Sequence, residues 1–250
     1  MKDLTKGSPS KVMISFMIPI ALGNIFQLCY SLADTRVVGS TLGESALAAV
    51  GATTSISTLF IGFLSGLTNG FSLLIAHQFG AGRKRGVTRY GAGCLLLGTI
   101  TAFLLTCICV ASLPFILHLL NVPDSLMDQA DAYIKVILLG LLATMLYNGC
   151  ASVLRAVGDT AAPLLFLLFA AGLNVALDLL FILKFGFGVA GAAWATVLSQ
   201  SLSAIISLVY MFKRYPVFRF TPADFKLEFQ EIKDLYTSGL SMAAMMSLVF

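Results

Sequence analysis

Asp34 and Asp178 stand inside stretches that otherwise read as lipid-spanning. An ionised carboxylate in hydrocarbon costs roughly 3 kcal/mol or more unless it is paired, hydrated or protonated. Two such residues point to a held cation or proton. Their neighbours strengthen the reading. Asn24, Gln27, Ser31 and Asp34 recur at i, i+3, i+7 and i+10, which keeps them on one helix face. Asn174 and Asp178 are four apart, as are Thr196 and Gln200, so each pair shares a face. A polar stripe in a span is expected to face protein or a wet cavity rather than lipid. Two carboxylates, an amide oxygen and a hydroxyl form a hard-oxygen set suited to sodium or to a shared proton.

The elements that must carry these residues are six apolar segments of about 20 residues or more, each long enough to span a bilayer. They run over 12–38, 52–79, 90–112, 132–153, 163–185 and 189–212, and a seventh apolar run occupies 236–250. Turn chemistry separates them at Gly80-Ala81-Gly82, Asn121-Val122-Pro123, Gly158-Asp159-Thr160 and Gly186-Phe187-Gly188. Residues 213–235 form a charged linker, with a surface helix expected over 222–234. With the N-terminus inside, thirteen of the sixteen basic residues fall on the inner side, leaving Arg36, Lys135 and Lys184 outside. Asp34 then lies about 23 residues, or about 35 Å of helix, beyond Lys11. Asp178 lies about 22 Å up the fifth span, and Thr196 lies about seven residues down the sixth. All three reach the outer half, so Asp34, Asn174, Asp178 and Thr196 can converge. Holding a cation or a proton is one reading of these residues. Asp34 as a helix-end residue at the headgroups, Asp178 in a structural hydrogen bond, and Asn174 and Thr196 as interhelical glue are the others. Pro19 interrupts the first span's hydrogen-bond ladder, either as a hinge or as a static kink.

Composition removes several classes of function. The chain of 250 residues is 58% hydrophobic and 11% charged, far from the roughly 25% charge of soluble domains, which makes it a multi-pass protein of the lipid bilayer. A net charge of +4 gives no warrant for nucleic-acid binding. The five cysteines lie in apolar segments without metal-ligand spacing and read as packing residues. No phosphate-binding loop, dinucleotide fingerprint, nucleophile triad or metal cluster is present, so neither an enzyme nor a cofactor is expected. Asn69 and Asn148 read as packing or cavity-wall residues, and Arg155 as part of an inner loop.

The stretches NIFQLCYSLADTRVVGSTLGESALAAVG, HQFGAGR, ASVLRAVGDT, GLNVALDLLFI and GVAGAAWATVLSQ resemble those of the multidrug and toxic compound extrusion (MATE) transporters. The resemblance covers about Lys11 to Arg214. It implies an all-α membrane fold of twelve helices in two lobes of six. Here that gives an amino-terminal lobe over 1–212, an inter-lobe linker over 213–235, and the truncated start of a second, missing lobe over 236–250. It implies antiport of small, often cationic, organic compounds against protons or sodium across the plasma membrane. It places the coupling site, or a sodium, at Asp34, Asn174, Asp178 and Thr196. Gln27 and Tyr30 match neighbours in the cavity, and Pro19 matches the first-helix bend. Asn24, Ser31 and Gln200 join the cavity wall by their helix faces. Two other functions stand beside this one: a lipid-linked precursor flippase, and a non-transporting orphan lobe.

Overall fold

Helix after helix follows from the apolar runs. The computed structural model describes residues 9–249; residues 1–8 of the polar N-terminal segment, and Phe250 at the end of the seventh run, lie outside them. Among the described residues the long helices are α1 (Pro9–Leu42), α2 (Glu44–Gly80), α3 (Lys84–Ala111), α7 (Ala161–Leu179), α8 (Gly188–Arg214) and α9 (Phe229–Val249). Shorter ones are α4 (Leu113–Leu119), α5 (Asp124–Leu139) and α6 (Leu141–Ala156). Among the described residues, five helices are long and apolar enough to cross a membrane: α1, α2, α3, α7 with its continuation, and α8. The α5–α6 pair, bent by 43°, is long and apolar enough to make a sixth if it is taken as one span. The bend falls at Gly140, where a Cβ would run into Val197 of α8. Only glycine lets the two helices approach there.

The outer faces stay apolar. Met13, Met17, Ile25, Leu28 and Leu32 of α1 are each more than half exposed, as are Leu165 on α7 and Ile205 on α8. Such a rim suits hydrocarbon. Inside, one cluster ties Phe71, Cys94, Cys150, Leu154, Met211 and Phe218 to Leu235 and Ala243 of α9. A second gathers Leu64, Leu113, Leu117, Ile134 and Met145 around α2, α4, α5 and α6. Cys94, Cys109 and Cys150 are buried packing residues as expected, whereas Cys29 and Cys107 sit on the exposed apolar surface.

Three boundaries differ from the sequence reading. The first two spans extend to Leu42 and back to Glu44, separated by Gly43 alone, whose φ of 86° turns the chain. The outer connection after α3 folds into α4. The linker does not carry a helix over 222–234. The Asp224 carboxylate accepts from the Thr221 N–H and O–H, both at 2.7 Å, closing a turn, and Glu231 accepts from the Glu228 N–H at 2.8 Å. That reach-back caps the helix start, so α9 begins at Phe229 rather than at Tyr236.

The linker is strapped to α3. Arg89 pairs with Glu228 at 3.0 Å and with Glu231 at 2.7 Å, and also donates to the Lys226 carbonyl at 3.1 Å. Thr88 donates to the Val217 carbonyl at 2.8 Å, and Tyr90 to Asp234 at 3.3 Å. Beyond the strap, α9 lies directly on α2. A Cβ at Gly66 or Gly70 would meet the α9 backbone at Ala243 or Ser238, and the Ser238 hydroxyl donates to the Gly70 carbonyl at 2.8 Å.

Candidate functional site

Three helices bring the predicted residues together. α1 contributes Asp34, α7 contributes Asn174 and Asp178 one turn apart, and α8 contributes Thr196. Asn174 and Asp178 are fully buried, and Asp34 is half-buried. The carboxyl groups of Asp34 and Asp178 lie within side-chain hydrogen-bonding range of each other. Asn174 donates its amide to Thr196 Oγ1 at 3.2 Å, and Thr196 donates to the Ala192 carbonyl at 3.2 Å. The Tyr30 hydroxyl is within hydrogen-bonding range of Thr196. Four converging side chains thus span α1, α7 and α8.

The site is rich in acceptors. Asp34 Oδ1, Asn174 Oδ1 and both Asp178 oxygens are buried and have no donor among the described residues. A buried acceptor left unpaired costs about 1–3 kcal/mol, more when charged. A proton bridging the two carboxyls, or a monovalent cation among these oxygens, would satisfy them together. The donor set fits both: oxygens only, two of them on carboxyl groups that face one another. The chain turns π-helical directly after α7, over Leu180–Lys184. Such a turn adds a residue to the helix and marks functional positions more often than chance.

A cavity of about 60 Å³ adjoins this site, room for a few waters. Gln27 and Tyr30 of α1, Ser65 of α2, Thr144, Tyr147 and Asn148 of α6 and Gln200 of α8 are among its walls. Thr144 donates to Gln200 at 2.6 Å, and Asn148 to Ser65 at 3.0 Å. Gln27, Tyr30 and Gln200 therefore take the wall positions expected of them. Asn24 and Ser31 do not; both are exposed and absent from the lining. The inward face of α1 runs through Gln27, Tyr30 and Asp34, and Ser31 is turned about 100° from Tyr30 around the helix. Pro19 lies inside α1, half-buried, some four turns before Asp34.

Sequence reasoning missed Tyr133 on α5. Its hydroxyl is buried and in electrostatic range of Asp34, Tyr30 and Asp178. One aromatic residue in an apolar run gives no signal of the direction it faces. Arg155 was also misplaced. It turns back into the bundle from the last turn of α6 instead of standing in a loop, and meets Asn69 and Ser152. Helical side chains lean toward the helix N-terminus, which here is the bundle interior.

Known proteins resemble this chain in sequence and fold. The MatE family profile matches residues 19–180. Over 213 residues the chain is 34% identical to the probable multidrug resistance protein YpnP of Bacillus subtilis, covering 84% of this chain and 47% of that protein. It is 23% identical over 210 residues to the multidrug export protein MepA of Staphylococcus aureus, covering 83% of this chain and 46% of MepA. A solved structure of a multidrug resistance MATE family transporter of the MOP superfamily, in its outward-facing conformation, superposes with a TM-score of 0.90 at 31% identity. That match covers 97% of this chain and 54% of the solved one. The chain thus spans about half the length of the relatives it matches, and those relatives are transporters, not enzymes. With the family profile covering more than half of its residues, the chain belongs to the MatE family.

Proposed function

We propose that this chain forms one half of a secondary antiporter that exports organic compounds, often cationic ones, in exchange for protons or sodium. The observation that carries the reading is the facing pair Asp34 and Asp178, contributed by α1 and α7 and surrounded by acceptor oxygens without donors. Two carboxylates that close in a low-dielectric site do not both stay charged and bare. Binding a proton or a sodium joins α1 to α7, and release drives them apart. Asn174 and Thr196 complete the oxygen set, and Tyr133 and Tyr30 border it. Pro19 gives α1 a point at which its outer half can swing when that charge changes. In this reading the cavity beside the site, water-sized in this structure, widens to receive the organic substrate.

In this reading the N-terminus and the Arg83-Lys84-Arg85 cluster are cytoplasmic, residues 1–212 are the amino-terminal lobe, and the second lobe supplies the surface against which the first rocks. The test has two arms. Sodium-22 binding and proton uptake are measured on the purified chain in nanodiscs, with Asp178→Asn as the comparison. Dye efflux driven by an imposed sodium or pH gradient is measured in liposomes on a chimaera in which these 250 residues replace the matching half of the Bacillus subtilis relative. Ion binding and gradient-driven efflux that both vanish in Asp178→Asn support the proposal. Either one persisting at the native level would sink it.

A further inference from the structure

One face of α3 is bare over half its length and covered over the other half. Arg89, Gly93, Ile100 and Leu104 fall within about 60° of one another around the helix. Ile100 and Leu104, with Phe103 beside them, are exposed apolar residues that suit hydrocarbon. Toward the basic end the linker lies over the same face. Arg89 is taken by Glu228, Glu231 and the Lys226 carbonyl, and a Cβ at Gly93 would run into Leu227 and Leu235. The linker thus stands between α3 and the lipid, and its far side takes over the exposure that α3 gives up.

That far side is aromatic and basic. Leu227 sits at Gly93, three residues past Tyr90, where α3 becomes apolar. Phe225 and Phe229 flank Leu227 by two residues each, which puts them at the boundary of the hydrocarbon. Phe229 is 81% exposed, more than any other large apolar side chain among the described residues. Phe225 is also exposed, and its ring lies 5.7 Å from Phe220, which in turn lies 6.2 Å from the buried Phe218. Around them stand Arg83, Lys84 and Arg85 at the start of α3 and Arg219 and Lys226 in the linker, all exposed. Among the described residues the ion pairs here are those of Arg89, so these five cations have none. The neighbouring acids are engaged within the chain: Asp224 with Thr221, Glu228 and Glu231 with Arg89, and Asp234 with Tyr90 and Gln230.

We propose that residues 219–229 form an interfacial anchor. Phe225 and Phe229 enter the edge of the leaflet, and Arg83, Lys84, Arg85, Arg219 and Lys226 hold the phosphates of anionic phospholipids. Aromatic bodies at the headgroup level and long basic side chains reaching phosphate are the usual means of such anchoring. In the orientation proposed above this is the inner leaflet. The inference draws on that reading for the name of the leaflet alone and is independent of the coupling site.

The experiment uses the purified chain in phosphatidylcholine nanodiscs and the quenching of tryptophan by brominated lipid. The chain has one tryptophan, Trp194, exposed near the start of α8 at the opposite end of the bundle. Phe229→Trp on a Trp194→Phe background gives a reporter in the linker. Dibromo-phosphatidylglycerol is compared with dibromo-phosphatidylcholine at equal mole fraction. The linker reporter is expected to be quenched about twofold more by the anionic lipid, and added salt to bring the ratio toward one. Trp194 of the native chain is expected to be quenched equally by both. Changing Arg83, Lys84 and Arg85 together to Gln should remove the preference while quenching by phosphatidylcholine persists. Lys226→Gln should lower it, and carries the test if the triple variant does not insert. No quenching in the linker by either lipid overturns the proposal. So does equal quenching by the two lipids, a preference that survives both sets of Gln substitutions, or the same preference at Trp194. The two leaflets of a nanodisc are alike, so the outcome depends neither on orientation nor on Asp178, and a failed anchor reads out separately from a failed transport reading.

Discussion

Asp159 and Asp178 stand at opposite ends of α7 and are treated by the fold in opposite ways. Asp159 is satisfied on every side. Its Oδ1 accepts from the Ala162 N–H at 3.1 Å, capping the helix start, and its Oδ2 accepts from Tyr210 at 2.9 Å and Tyr215 at 2.7 Å. Asp178 is fully buried and takes no donor from the described residues. The first arrangement spends a carboxylate on fixing α7 against α8. The second keeps a carboxylate in an environment that improves only when a proton or cation arrives. The presence of an acid in a span therefore says little by itself; the donors around it decide whether it holds the structure or works.

The sharpest way to break this contrast is to neutralise both acids. Asp178→Asn should reduce gradient-driven dye efflux by the chimaera to the protein-free background while its melting temperature stays within about 5 °C of the native value. A native efflux rate would remove the distinction. Asp159→Ala should do the reverse. Loss of a helix cap and two hydroxyl bonds should destabilise by about 1–3 kcal/mol in thermal unfolding, with efflux per folded molecule retained. Thr196→Ala tests the edge of the proposed coupling site. Its hydroxyl already bonds to Asn174 and the Ala192 carbonyl, so sodium or proton affinity should weaken only about three- to fivefold in the nanodisc titration. The smallest effect belongs to Asp224. Its carboxyl is held below the ordinary value by the Thr221 hydroxyl and N–H, so the turn gains stability above the ordinary carboxylate range and loses it as pH falls through the lowered value. Amide exchange at residues 221–225 should quicken in acid, and in Asp224→Asn it should be fast already at neutral pH.

Much of this site was legible before any coordinates. Asp34, Asn174, Asp178 and Thr196 stood out because polar residues are costly in spans, and counting 1.5 Å per residue placed them at one depth. Periodicity alone did not fix how α1 is rotated. It grouped Asn24 and Ser31 with Asp34 on a face about 100° wide, and packing against α7 chose the Gln27–Tyr30–Asp34 edge of that face. Tyr133 was invisible for a different reason: its hydroxyl matters only through neighbours from α1 and α7, which are distant in sequence. The bend at Gly140 depends on Val197 of α8, again a tertiary fact. The start of α9 was in principle readable, because Glu228 and Glu231 have capping-box spacing. The run of charges around them drew the boundary too late.

The strap along α3 has a practical consequence. Residues on both sides of the tight turn at 222–225 are independently anchored, Val217 and Phe218 before it and Glu228 to Ser238 after it. The backbone can accordingly be opened at that turn, or a fluorophore inserted there, with the two pieces remaining seated on each other. α9 is thereby fastened to α2 and α3 through its own contacts and not only through the chain that leads into it.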